Sequence, residues 1–298
     1  MQRSILIVSP VRNEAEHIER VVRGVAGQTV PPALWIVVDD HSTDDTRAIL
    51  ASLAAEVGFL RVLDAPDASN LLDERDRLAA AAAPRAFNAG LGTVDAAAFD
   101  FVGKLDGDVE LPPDYFEDLL RRFDADPSLG IACGDLIEQF GDEWRRIAIP
   151  EHHVHGALKL YSRRCFTDIG GVRDTLGWDS IDEATARRLG YKTRSFRDIV
   201  VRHNRHWGSA DGKLRGRARH GVAAWIIGYG AGWAFVRSLK LATVPPVGIS
   251  GGAFLFGYLR AALRGTPRVE RELRRHVCSE LRSRARRVIV RELRPASR

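Results

Sequence analysis

The chain has 298 residues, 45% of them hydrophobic and 28% charged, with a formal net charge of +5, a length that holds one large α/β domain and an appendage. Its three cysteines, Cys133, Cys165 and Cys278, lie far apart without CxxC or Cys/His spacing, which argues against a disulfide framework or a zinc module and for a cytoplasmic setting. Residues 201–298 carry 21 Lys plus Arg against 5 Asp plus Glu, while the first 200 carry 23 against 34; an acidic body with a basic tail suits anionic lipid, nucleic acid or an acidic polymer.

Along the chain, the run from Met1 to Val8 turns polar at Arg12, Asn13 and Glu14, too soon for a signal peptide, and reads as a first strand. Apolar runs at Ile5 to Val8, Trp35 to Val38, Phe59 to Leu63 and Phe99 to Leu105 predict strands, and the stretches from Glu14, Thr43 and Pro113 predict helices. This alternation predicts a mostly parallel sheet flanked by helices. Three of the strands end in polar clusters, Pro10 to Glu14, Asp39 to Asp45 and Asp106 to Asp108, and loops at the carboxyl ends of such strands gather into one cleft. Ala79 to Ala83 reads as helix. From residue 221 come two uncharged stretches, Gly221 to Val236 and Leu241 to Leu259, split by Arg237 and Lys240, and after Gly265 an arginine-rich helical tail with Leu273, Val277 and Leu281 at helical spacing. The expected division is a domain over residues 1–220 and a helical extension over 221–298.

Asp106-Gly107-Asp108 sets two carboxylates one residue apart where a strand breaks into a turn. A hard divalent cation needs oxygen ligands of this kind and keeps positions for phosphate, although Asp-Gly is also common in plain surface turns. Val37 to Thr46 puts acids at a strand end ahead of helix-capping residues. A carboxylate there can accept from a ribose hydroxyl or base N–H, or merely cap the helix.

Taken in order, Ser9-Pro10-Val11-Arg12-Asn13-Glu14, Val37 to Thr46, and Asp106-Gly107-Asp108 followed by Leu111-Pro112-Pro113-Asp114-Tyr115 resemble family 2 glycosyltransferases of the GT-A fold, a Rossmann-like α/β architecture. The resemblance covers about residues 4 to 205; Arg12 stands where that family usually has tyrosine, and His41 where it has glycine. It implies that Pro10, Arg12, Asn13, Glu14, Asp39, Asp40 and Asp106 bind the nucleotide-sugar, with Arg85 directed at the diphosphate. Asp106, Asp108 and His203 would hold Mn²⁺ or Mg²⁺. Gly177-Trp178-Asp179-Ser180-Ile181-Asp182-Glu183 falls where the family keeps its catalytic acid residue. Counting from Gly190-Tyr191 selects Asp179, and aligning Arg188 selects Asp182. Ser180 with Glu183 also fits a capping box. The activity implied is inverting transfer of a hexosyl group from a nucleotide-diphosphate donor to a hydroxyl, with a glycan or lipid-linked acceptor.

Alternatives from other classes are a sugar nucleotidyltransferase, which would need a glycine-rich loop after the first strand that Pro10 to Glu14 lacks, and a catalytically inactive nucleotide-sugar-binding relative. No aromatic-basic or zinc-finger pattern supports a nucleic-acid partner. In the extension, Trp225, Ile226, Ile227, Tyr229, Trp233, Phe235, Phe254, Phe256 and Tyr258 flanked by arginines suit an anionic membrane surface at the inner face of the cell membrane. The competing expectation is two helices packed on the catalytic domain; Gly228 to Gly232 and Gly248 to Gly252 fit a GxxxG spacing, which carries little weight in a glycine-rich stretch.

Overall fold

The computed structural model describes residues 3–66, 81–140, 143–147, 149–204 and 212–292. The chain forms two compact units, Met1–Trp207 and Gly208–Arg298. The boundary falls before the expected residue 220 because one unbroken helix, residues 213–227, runs through that position.

The first unit opens with β1 (Ile5–Val11), α1 (Ile18–Ala26), β2 (Leu34–Asp39), α2 (Thr46–Glu56) and β3 (Leu60–Asp64). Next come α3 (Ala82–Leu91), β4 (Phe101–Leu105), β5 (Val109–Glu110), α4 (Tyr115–Ala125), β6 (Leu129–Phe140) and β7 (Glu143–Arg146). The unit closes with β8 (Leu158–Ser162), α5 (Arg163–Asp168), α6 (Trp178–Arg188) and β9 (Lys192–His203). Among the described residues nine strands make one sheet, ordered β3-β2-β1-β4-β8-β6-β9-β5 with β7 beside β6. Strands β3, β2, β1 and β4 run parallel; β8 is antiparallel to both β4 and β6, and β9 returns parallel to β6. This is the expected α/β sheet flanked by helices, parallel in its first half and mixed in its second.

The continuous apolar runs explain the parallel half, since strands covered by helices on both faces need no polar side. Residues Ile5 to Val8 and Leu34 to Val38 are all buried. Helix α1 turns Ile18, Val21, Val22 and Val25 inward, each burial contributing about 1.5–3 kcal/mol as an upper bound. It starts four residues later than expected because the Glu14 carbonyl first accepts from the amides of His17 and Ile18. Of the helix expected at Ala79 to Ala83, residues 79 and 80 lie outside the described residues, Ala81 is left-handed at φ 57°, and α3 begins at Ala82. Helix α3 lies close on β1 and β2: a Cβ at Gly90 would stand 2.6 Å from Val38 Cγ2 and 2.9 Å from Val8 Cγ1. The chain leaves β1 for β2 on one side and β4 joins it on the other, the reversal beside which open α/β sheets form their ligand crevice.

The second unit contains α7 (Lys213–Ile227), α8 (Ala231–Ala242), α9 (Ile249–Leu263) and α10 (Arg271–Glu292). Ala224, Ala234, Phe254 and Tyr258 form its core, and Ile226 and Ile227 are buried as well. Part of the apolar set expected at a membrane is therefore packed inside this unit. The tail is helical as expected, with Leu273 and Val277 buried. Of the glycines in GxxxG spacing, Gly228 ends α7 in the left-handed region and lies tight against α10, where a Cβ would stand 2.5 Å from Arg274 Cγ, while nothing stands within 4 Å of a Cβ at Gly232, Gly248 or Gly252. Helices α7 and α9 meet through Gly221 and Gly257: a Cβ there would come within 2.0 Å of the Phe254 carbonyl oxygen and 1.9 Å of the Ala218 carbonyl oxygen. Among the described residues no helix is long and apolar enough to cross a membrane.

Candidate active site

The loops that follow β1 and β2 are stitched to each other. Arg12 Nη1 donates to the Asp40 carbonyl at 2.7 Å, and the Asn13 amide donates to Ser42 Oγ at 2.9 Å. The Thr43 amide donates to Asn13 Oδ1 at 2.8 Å, and the Glu14 amide to Thr46 Oγ1 at 2.7 Å. Pro10 and Val11 pair in register with Val38 and Asp39, so the expected nucleotide residues Pro10, Arg12, Asn13, Glu14, Asp39 and Asp40 sit together. Asp39 is buried and accepts from Ser42 Oγ at 2.5 Å. His41 adopts φ 58°, a left-handed backbone that glycine reaches without strain and histidine reaches more readily than bulky apolar residues. Histidine thus holds a backbone position that suits the glycine usual in the family, and Arg12 ties the same turn through the Asp40 carbonyl.

Strand β4 delivers the Asp106-Gly107-Asp108 turn to these loops. A Cβ at Gly107 would stand 3.0 Å from Val11 Cγ1 and 3.1 Å from Glu14 Cγ, so the absence of a side chain lets the turn lie against the β1 loop. Asp106 receives the Lys104 ammonium, and its amide donates to the Ala157 carbonyl at 2.8 Å. Asp108 goes elsewhere. Val109 pairs with His203 across β5 and β9, which sets His203 Nε2 3.4 Å from Asp108 Oδ2, while His203 Nδ1 meets Glu138 Oε1 at 2.9 Å. Burial lowers the His203 pKa, but the hydrogen bonds to Asp108 and Glu138 and the charge of Asp106 outweigh it and push it up to about 9.

A metal-ligating imidazole donates one ring N–H to an outer carboxylate and holds the ion through its other nitrogen; here Glu138 is placed as that outer partner, and a divalent cation would take the place of the Nε2 proton between His203 and Asp108. Asp108 and His203 therefore fit a divalent cation as a two-donor set whose remaining positions suit phosphate oxygens. Among the described residues no group of three or more His, Cys, Asp or Glu side chains gathers on one point, because Asp106, the third expected ligand, is turned onto Lys104. Arg85 lies five residues before Gly90 on α3, about 7.5 Å along the axis. Since α3 runs back between the parallel strands β3 and β4, that direction leads to their carboxyl ends. Among the described residues the half-buried Arg85 side chain has no ion pair.

The two candidate bases differ in their surroundings. Asp182 is buried, and both its oxygens are occupied: Lys159 Nζ donates at 2.9 and 3.0 Å, Tyr161 Oη at 2.5 Å and the Glu183 amide at 2.6 Å. Burial raises its pKa, with the Lys159 charge opposing. Asp179, in the first turn of α6, is half-buried, and its Oδ2 lies 3.4 Å from where a Gly156 Cβ would stand. Glu183 makes no capping box. Gly177 caps α6, and Glu183 accepts from the Val154 amide at 3.0 Å and meets His153 Nδ1 at 3.1 Å.

Two lysines missing from the expected site hold it together. Lys104 and Lys159 face each other in register on β4 and β8, both are buried, and their ammonium groups stand 5.4 and 5.2 Å from the Trp178 ring. Lys104 joins Asp106 to the Gly156 carbonyl at 2.9 Å, and Lys159 joins Asp182 to the Asp179 carbonyl at 2.5 Å. Lysines inside the apolar runs Phe101 to Leu105 and Leu158 to Tyr161 were the signal for them, because a lysine is rarely buried without a partner.

The model of the family described as Glycosyl transferase family 2 matches residues 6–177. The succinoglycan biosynthesis protein ExoA of Rhizobium meliloti (strain 1021) is 36% identical over 210 residues, which span 63% of this chain and 59% of that relative. Among solved structures, the mannosyltransferase PcManGT from Pyrobaculum calidifontis in complex with GDP-Man and Mn²⁺ superposes with a TM-score of 0.55 at 17% identity, over 97% of this chain and 81% of that one. S. aureus TarS 1-349 in complex with UDP-GlcNAc superposes with a TM-score of 0.53 at 14% identity, over 88% of this chain and 73% of that one. At these identities the two structures establish a shared fold.

Proposed function

The chain belongs to glycosyl transferase family 2 and is a glycosyltransferase, and within that activity we propose that it moves a hexosyl group, with inversion, from a nucleotide-diphosphate donor to an acceptor hydroxyl. One observation carries the reading: the β1 and β2 loops, Asp106-Gly107-Asp108 and the start of α6 meet at one end of the sheet, joined through Lys104 and Gly156. The nucleoside would lie on Pro10, Arg12, Asn13, Glu14, Asp39 and Asp40, with Asp106 toward the ribose and Arg85 toward the diphosphate. An arginine fork matches phosphate oxygens. Asp108 and His203 would hold Mn²⁺ or Mg²⁺, with Asp106 close by, and the ion supplies positive charge to the departing diphosphate.

Asp179 is the proposed base. A general base must be open to the proton it takes, and half-buried Asp179 meets that condition where the enclosed, fully hydrogen-bonded Asp182 does not. Deprotonation of the acceptor hydroxyl by Asp179 directs its oxygen at the anomeric carbon, and the sugar–phosphate bond breaks on the opposite face. A single displacement of this kind inverts the configuration. The relative that acts in succinoglycan biosynthesis supports a glycan or lipid-linked intermediate of surface polysaccharide assembly as acceptor, met at the inner face of the cell membrane.

The test is nucleotide release from a panel of UDP-, GDP- and dTDP-sugars with Mn²⁺, Mg²⁺ or EDTA. The expected result is release with one nucleotide class, suppressed by EDTA and lost in Asp108→Ala. Tight nucleotide-sugar binding without release in any condition would identify an inactive relative instead.

A further inference from the structure

Helix α9 departs from the pattern of a helix packed in water. One face, Ser250, Gly251, Phe254, Gly257, Tyr258 and Ala261, is buried in the second unit. The opposite face ought then to be polar, yet it carries Ile249, Phe256, Leu259 and Leu263 at i, i+7, i+10 and i+14, exposed by 57%, 61%, 49% and 89%. Helix α8 repeats the departure: it buries Ala234 and Ser238 and leaves Phe235 and Leu239 more than half exposed. Scattered exposed apolar residues are ordinary, whereas a contiguous face implies something that covers it.

The charges choose the occupant. From Gly212 to Val269 the chain has no Asp or Glu and nine Lys or Arg. Lys240 follows Leu239 on α8, Arg260 and Arg264 follow Leu259 and Leu263 on α9, and Arg237 reaches round α8 over the Phe254 ring, 5.8 Å from its centre; among the described residues none of these four has an ion pair. A second copy of the chain docked through this same face would bring cations against cations with no acid between them. An anionic lipid surface supplies the opposite charge beside an apolar layer. At 1.5 Å per residue α9 is about 22 Å long, short of the roughly 30 Å of a bilayer's hydrocarbon core, so the helix fits along the interface and not across it.

We propose that the outer faces of α8 and α9 form a membrane-docking surface, with Phe235, Leu239, Ile249, Phe256, Leu259 and Leu263 sunk into the acyl boundary of an anionic leaflet and the neighbouring Lys240, Arg260 and Arg264 at headgroup level. Apolar burial and headgroup attraction each contribute a share of such binding. The surface therefore does more than collect counter-charge, and high salt removes one share only. Anchoring here belongs to the second unit and is independent of the chemistry proposed for the first.

The test is sedimentation of the full chain with vesicles of phosphatidylcholine, with and without phosphatidylglycerol, at low and high salt. Wild-type protein is expected to pellet with the phosphatidylglycerol vesicles and to be released only in part by high salt. The doubly substituted Leu259→Glu, Leu263→Glu chain, altered only at exposed positions, is expected to lose about tenfold or more in partitioning, with its thermal midpoint and its nucleotide release in solution unchanged. Pelleting of that variant like wild type would overturn the proposal. So would wild-type protein that stays in the supernatant, or a concentration-dependent dimer that the variant abolishes. Loss of nucleotide release in every variant with vesicle binding intact would count against the proposed transfer and leave the docking surface standing.

Discussion

The two units of this chain place their polar and apolar groups in opposite ways. The first buries charge: Lys104, Lys159, Asp182 and Glu183 are enclosed beneath a site in which Asp40, Asp106 and Asp179 are half-buried. The second exposes apolar surface, along α8 and α9. Buried charge costs desolvation and persists where its partners are fixed in place, so in the first unit it marks side chains that hold catalytic loops. Exposed hydrophobe has no such internal partner, and in the second unit it marks a boundary with something outside the chain.

The largest expected effect on this contrast comes from breaking the buried charge. Lys159→Met leaves Asp182 and Glu183 enclosed with their principal cation gone, and removal of one partner from a buried pair costs about 3–5 kcal/mol. Urea unfolding of wild type and variant measures it. A loss below about 1 kcal/mol would mean that the lysine does not hold α6.

A smaller effect follows from His155, which burial and the charge of His153 push down to about 4, with Asp135 opposing. The unfolded chain takes up this proton near the ordinary value of about 6.5, before the folded one does. The histidine's contribution is therefore complete above pH 6.5 and lost as pH falls toward 4, amounting to about 3 kcal/mol at most. His155→Gln should flatten that part of the stability curve relative to wild type, and parallel curves would exclude the effect.

Smallest of all is Leu263→Ser. At 89% exposure the side chain contributes little to folding in water, and the expected change in unfolding free energy lies within about 0.5 kcal/mol. A clear destabilisation would show that the outer face of α9 is covered within the protein.

Much of this arrangement was legible in the sequence. Continuous apolar runs fixed β1, β2 and β4, and the polar clusters at their ends marked the cleft, because a strand covered on both faces has only its ends for polar chemistry. The choice between Asp179 and Asp182 was not legible, since three residues on a helix separate an enclosed carboxylate from a half-open one and only packing distinguishes them. The breaks in the second unit were hidden too. Gly221 to Val236 reads as one uncharged stretch, but Gly228 ends a helix inside it, and which large residues turned inward depended on the glycine contacts of α7 and α9.

The central claim is that the enclosed acid serves the fold and the half-open acid serves the reaction. Paired measurements of donor binding and sugar transfer on Asp179→Asn and Asp182→Asn test it most directly. The expected result is that Asp179→Asn binds the nucleotide-sugar as wild type does and loses about a hundredfold or more in transfer, a size typical of removing a general base, while Asp182→Asn chiefly lowers the unfolding midpoint. Wild-type transfer by Asp179→Asn, beside a stable Asp182→Asn with transfer abolished, would contradict it.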